Sequence, residues 1–123
     1  AAEAGGVMLG VCHVLRYAPC NRRIKELIQE GRVGEVQHIQ HTENVGWYHF
    51  AHSFVRGNWA KERESTFSLL AKSCHDIDLI RYWMGSECDK VSSFGGLKHF
   101  RAAGGPPGNK AERCLDCDFA SGC

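Results

Sequence analysis

Apolar residues recur at helical spacing through Ser68–Gly85 (SLLAKSCHDIDLIRYWMG). Leu70, Cys74, Ile77, Ile80 and Met84 form a stripe of period 3.6, and Gly85 follows as a C-terminal stop. The pattern predicts one helix of about four to five turns. Lys72, His75 and Asp76 fall on the opposite face, one turn apart, together with Leu79 and Trp83. A His, a Lys and a carboxylate among large apolar groups suit the wall of a cleft. They equally suit an amphipathic helix whose half-buried His is hydrogen-bonded to a neighbouring Asp, and both readings stand at this point. A second helix is predicted from Pro19, a residue favoured at the first helical position. Ile24, Leu27 and Ile28 lie on one of its faces, Arg22, Arg23, Lys25, Glu26 and Gln29 on the other, and Gly31 closes it.

Between the helices the pattern turns extended. Val7–Cys12 (VMLGVC) is a short apolar run rich in β-formers and reads as a buried strand. A buried strand followed by an amphipathic helix is half of a βαβ unit, which implies a parallel sheet. From Gly34 the stretch GEVQHIQHTENVGW alternates imperfectly, with Val36, Ile39, Val45 and Trp47 as apolar points and His38, His41, Glu43 and Asn44 between them. It reads as a strand with one face covered and the other lining a cavity or a partner surface. Val91–Leu97 is expected to be a third strand. The aromatic YHFAHSFVRGNW reads as a packed loop, KEREST as a charged link and AAGGPPG as a turn-forming break. The expected class is therefore α/β (α+β). No internal repeat is present.

Composition narrows the function classes. The chain has 123 residues, 43% of them hydrophobic and 24% charged, which suits one globular domain or part of one. Fifteen Lys plus Arg against fourteen Asp plus Glu give a net charge of +1, so charge makes no case for nucleic acid or a membrane surface as partner. No apolar run approaches the ~20 residues needed to span a bilayer. The opening AAEAGGVMLGV has neither the basic start nor the long apolar centre of a signal peptide, and it lacks an initiator Met. A cytoplasmic piece of a longer protein is expected. Seven cysteines, an odd number without a secretory signal, argue for reduced thiols or a metal rather than a disulfide framework.

Three stretches together resemble one family. They are CHVLRYAP with its following helix and GRVGEV turn, the region of Trp59, and the LLAKSCHDIDLIRYWMG helix. In this order they look like the glucose–fructose oxidoreductase / inositol dehydrogenase (Gfo/Idh/MocA) family. There, an Arg-aromatic pair before a Pro ends the last strand of a Rossmann domain, and Arg16-Tyr17-Ala18-Pro19 matches it. A G-x-[IV]-G-x-[IV] turn leads into the second domain, and Gly31–Val36 matches it. A His followed three residues later by an Asp marks the central helix, as His75 and Asp78 do. The resemblance implies the end of a dinucleotide-binding domain at residues 1–31. Residues 32–123 would then be part of a substrate and oligomerisation domain with an open, largely antiparallel sheet.

The resemblance also implies an NAD(P)-dependent oxidoreductase acting on a sugar or polyol hydroxyl. The expected partners are that small molecule and further copies of the chain through the sheet. His75 would be the acid/base, since imidazole exchanges protons near operating pH. Lys72 would orient the hydroxyl, and Arg16 would sit on the cofactor side. Two departures stand out. The glycine-rich G-x-G-x-x-G turn is absent, so the chain alone is expected to be inactive, and Ala71 stands where the family usually has an Asp. The competing expectation is a non-catalytic interaction module.

The tail carries a separate candidate. Cys114-x-x-Cys117 followed by Cys123 offers three thiols, and His99 is the nearest His. Zinc takes four ligands in closed structural sites, Cys₃His among them. A similar cysteine-rich segment occurs in part of the resembled family. Three exposed, reduced thiols are the alternative, because a single C-x-x-C is a weaker signal than two.

Overall fold

The computed structural model describes residues 2–104, 111 and 114–122, without the side chains of Ala102 and Cys114. The chain divides into two compact units, residues 1–91 and 92–123. The first contains helices α1 (Ala2–Gly5), α2 (Pro19–Gln29), α3 (Trp47–Phe50), α4 (Ser68–Ala71) and α5 (Cys74–Met84). A 3₁₀ turn at Val14–Tyr17 precedes α2, and a π-helical turn at Ala51–Val55 continues α3. The second unit holds short 3₁₀ turns at Ala102–Gly104, Cys114–Asp116 and Ala120–Gly122. Among the described residues no helix is long and apolar enough to cross a membrane.

The expected α/β class is not what forms. Among the described residues there is no strand. The segments from Val7, Gly34 and Val91 run without helix, and many of their apolar side chains face water; Met8 and Phe94 are almost fully exposed. The physical reason lies in what a strand requires. Apolar alternation specifies extended backbone, but a ladder of hydrogen bonds needs a second segment alongside, and no ladder forms among the described residues. Helices close their hydrogen bonds locally, so the helical predictions do not depend on such a neighbour.

Helix α2 forms as its sequence dictates. Pro19 occupies its first turn, where the missing N–H would have had no partner. At the other end Gly31 takes φ +70°. Its N–H donates to the Ile28 carbonyl at 3.0 Å, and the Arg32 N–H donates to the Leu27 carbonyl at 3.0 Å. These two bonds make a Schellman closure, which needs the left-handed conformation that glycine adopts without strain.

The long helix expected over Ser68–Gly85 is interrupted. Lys72 departs to φ −119°, ψ −55°, and Ser73, in a position Ser favours, begins α5 afresh. The inward face of α5 is shifted from its apolar stripe, of which Cys74 and Ile80 are half-buried. Leu79 (3% exposed) and Asp76 (8%) are buried, and His75, Tyr82 and Trp83 are half-buried, while Leu70 and Ile77 are more than half exposed. Polar bonds to α2 hold that face in. The Trp83 indole N–H donates to the Asn21 carbonyl at 3.3 Å, Lys25 Nζ donates to the Trp83 carbonyl at 3.4 Å, and Asn21 Nδ2 donates to the Leu15 carbonyl at 2.8 Å.

The strongest tie is ionic. The Arg16 guanidinium grips Asp78 through two bonds, Nε to Oδ2 and Nη2 to Oδ1, each 2.6 Å. It also lies over the Tyr82 ring, 5.2 Å from its centroid. The Asp78 side chain is 10% exposed and that of Arg16 36%. The paired guanidinium holds the Asp78 carboxyl below the usual carboxylate range, against the opposing effect of burial.

The stretch expected to be a packed loop is helical instead. Residues 47–55 form α3 and the π turn, with Arg56 N–H donating five residues back to the Ala51 carbonyl at 3.1 Å. Phe54 packs between Phe50 and Trp59, with ring centroids 5.3 and 6.2 Å away. The chain then turns sharply. A Cβ at Gly57 would run into the carbonyl oxygens of His52 and Ser53.

Two predictions follow from these contacts. Gly57→Ala should cost about 1–3 kcal/mol in urea unfolding followed by tryptophan emission. Gly95→Ala, where the added Cβ meets nothing within 4 Å, should stay within about 0.5 kcal/mol of the parent. Asp78→Asn should cost about 1–3 kcal/mol at pH 7, the range for charge-assisted bonds, tempered by the partial exposure of Arg16. Because the folded-state pKa of Asp78 is depressed, its contribution is complete above the unfolded carboxyl value of about 3.9. It is lost as pH falls through the lower folded value. The gap between parent and Asp78→Asn should therefore narrow progressively below about pH 4. A gap constant down to pH 2 would refute the assignment.

Candidate functional site

Two polar clusters converge on the first turns of α5. In the first, Asp78 binds Arg16 and also receives His13, whose Nδ1 lies 3.1 Å from Asp78 Oδ1. The His13 ring meets that of His75 edge to face, with centroids 5.7 Å apart and planes at 78°. His75 is half-buried, and its Nδ1 is buried without a hydrogen-bond partner among the described residues. The series Asp78–His13–His75 comes together because the 3₁₀ turn at Val14–Tyr17 packs on α5. His13 stands just before that turn and Arg16 within it.

The second cluster is built on Asp76, the residue after His75, and on Lys72. His41 Nε2 and Asp76 Oδ1 are 2.8 Å apart, and Lys72 Nζ donates to Glu43 Oε1 at 3.1 Å. His41 and Glu43 are two residues apart on the non-helical stretch before α3, and their side chains come together, each with a polar atom within 4.8 Å of the other. The kink at Lys72 separates its side chain from the regular path of α5, and the ammonium engages Glu43. The His41 ring stands beside Trp83, with centroids 6.3 Å apart.

Of the residues singled out in the sequence, Arg16 and His75 belong to the first cluster, joined through Asp78 and His13. Lys72 belongs to the second. Cys123 and the side chain of Cys114, two of the four tail ligands considered for zinc, lie outside the described residues. Cys117 is half-buried, and the His99 ring packs edge-on against Phe100 at 4.9 Å. Sequence reasoning did not single out His13, although it stands three residues before Arg16. It listed His41 and Glu43 only as polar points on a cavity-lining stretch. Asp78, singled out only as the Asp three residues after His75, accepts from the Arg16 side chain and faces His13.

Comparison with known proteins agrees with the resemblance. The GFO/IDH/MocA C-terminal domain description matches residues 21–119. The chain is 33% identical over 85 residues to a protein of Bacillus subtilis (strain 168) named as oxidoreductase YteT, covering 69% of this chain and 20% of that protein. It is 32% identical over 84 residues to a galactose/lactose metabolism regulatory protein of Kluyveromyces lactis, covering 68% and 18% respectively. It is 26% identical over 96 residues to a 2,7-anhydro-N-acetylneuraminate hydratase of Escherichia coli (strain K12), covering 78% and 25%. The chain thus spans between 18% and 25% of the length of these relatives. No solved structure matches it significantly. With most of its length matched by the domain description and the YteT likeness alongside, the chain belongs to the Gfo/Idh/MocA family, in its C-terminal domain.

Proposed function

We propose that this chain carries the proton-handling residue of an NAD(P)-dependent oxidoreductase acting on a hydroxyl of a sugar or polyol, with His75 as the acid/base. The observation that carries this reading is the buried, unpartnered Nδ1 of His75. Leaving such an atom unsatisfied costs about 1–3 kcal/mol, and a cost of that kind calls for a functional account. The relative named as an oxidoreductase and the anhydro-sugar hydratase support the general chemistry.

In this reading a bound nicotinamide supplies the hydride chemistry. His75 accepts the hydroxyl proton as the alcohol becomes a carbonyl and returns it in the reverse direction. Asp78 orients His13 through its Nδ1, and the edge-on His13 ring fixes the plane of His75. Lys72, steadied by Glu43, is assigned to orient the substrate hydroxyl. Arg16 is assigned to the cofactor-facing side. Its Nε and one N–H of Nη2 are committed to Asp78, so a further contact would use the remaining donors of its fork. The sequence contains no G-x-G-x-x-G turn, and no step of phosphate binding is assigned to these residues.

A second reading rests on a specific observation. One relative is named a regulatory protein, and Ala71 replaces the Asp usual before the central His. A non-catalytic interaction module would fit both. Kinetics on the whole protein separates the two. Under the catalytic reading, His75→Ala lowers kcat by about 10²-fold or more with cofactor Kd unchanged. An unchanged kcat removes His75 from the chemistry. A protein that binds NAD(P) but turns over no member of a sugar and polyol panel supports the regulatory reading.

A further inference from the structure

Of the second cluster the proposed chemistry uses Lys72 and the Glu43 that steadies it, and leaves His41 and Asp76 without a task. His41, Glu43 and Asp76 each offer one ligand atom, and these three atoms lie within 4.8 Å of one another. We propose that His41, Glu43 and Asp76 form a binding site for a divalent transition-metal cation, in which Lys72 acts as the built-in competitor. The inference does not rest on the role assigned to His75.

One imidazole nitrogen and two carboxylate oxygens make a donor set that takes divalent ions such as Zn²⁺ and the harder Mn²⁺. The site is graded in exposure. Asp76 is buried at 8% exposure, His41 is half-buried, and Glu43 reaches the surface, so one side is fixed by packing and the other stays open to water ligands. Metal–ligand bonds of about 2.1 Å place neighbouring ligand atoms roughly 3–3.4 Å apart. The His41–Asp76 separation of 2.8 Å is shorter than that, as a hydrogen bond should be, and would open by about half an ångström. The most exposed ligand, Glu43, has the torsional freedom to close in.

The charges explain what stands in for the ion. Two carboxylates, one of them buried, meet a single ammonium, Lys72 Nζ, 3.1 Å from Glu43, which offsets only one of their charges. A buried carboxylate facing a hydrogen-bond donor and a nearby cation is the arrangement a dication replaces. The cation takes the place of the proton between His41 Nε2 and Asp76, and that proton moves to Nδ1, so the imidazole stays neutral with its Nε2 lone pair on the metal. Lys72 then leaves Glu43. Removing Lys72 should therefore strengthen metal binding, an effect opposite to that expected of a lysine with a merely structural role.

Manganese is the probe of choice, because it favours oxygen and nitrogen donors over the cysteine thiolates of the tail. Mn²⁺ is titrated into the whole chain, and the loss of the free-ion EPR signal is followed at neutral pH. One Mn²⁺ per chain is expected. Asp76→Asn and His41→Ala should each weaken binding by about tenfold or more, and Glu43→Gln should do so from the surface without touching the packed interior. Lys72→Met should tighten binding by about fivefold or more as the competing charge is removed. Circular dichroism separates loss of the site from loss of fold for Asp76→Asn, and Glu43→Gln carries the test if that variant unfolds. Absence of Mn²⁺ binding to parent and Lys72→Met alike overturns the proposal. So does binding that Glu43→Gln leaves unchanged, or that Lys72→Met weakens.

Discussion

The bidentate grip of Arg16 on Asp78 is the constraint on which the rest of the first unit depends. It fastens the 3₁₀ turn before α2 to the middle of α5, across 62 residues of sequence. It also seats the guanidinium on Tyr82, and the Asp78 Oδ1 that accepts from Arg16 Nη2 faces His13 as well. The edge of His13 is in turn what stands against His75. A planar, always-charged fork suits this task in a way a lysine would not, because two parallel bonds fix an angle as well as a distance. The candidate chemistry and the helix packing thus share one ion pair, and neither can be altered without the other.

The sequence carried some of this organisation and not the rest, and the division follows the range of the interactions. Helix α2 was legible at both ends, because Pro19 and Gly31 act through their own backbone conformations. The strands were not, because extended character is local while pairing is not. The stretches at Val7, Gly34 and Val91 have the composition of strands without a partner among the described residues. Helix α5 misled in a different way. The stripe from Leu70 through Cys74, Ile77 and Ile80 to Met84 has the right period, yet only Cys74 and Ile80 of it are half-buried, and the neighbours of α5, α2 and the 3₁₀ turn, present polar groups. The face that can bond to them, with Asp76, Leu79 and Trp83, is the one that turned inward.

The candidate site divides along the same line. His75 and Lys72 were legible as a convergent pair on a helix face, but the break at Lys72 sends their side chains to different partners. The joining of Arg16 to Asp78 has no periodic signature. The spacing of His41 and Glu43 indicated a shared side of extended backbone, but not that Asp76 would meet them. Family membership does not resolve these particulars, since the relatives carry names as different as oxidoreductase, hydratase and regulatory protein. One fold hosts several activities, and the site distinguishes them.

Leu79 is the one buried hydrophobic residue among those described, while the contacts that tie α5 to α2 and the 3₁₀ turn are ionic and polar. That balance has a thermal consequence. The heat capacity of unfolding arises mainly from newly wetted apolar surface, and polar surface contributes with the opposite sign. A unit held in this way exposes little new hydrocarbon when it opens. Its increment should fall well below the ~12–15 cal/mol/K per residue of ordinary domains. Its stability curve is accordingly broad and shallow, with little curvature toward cold. Such a fold responds to ionic strength and acidity more than to temperature.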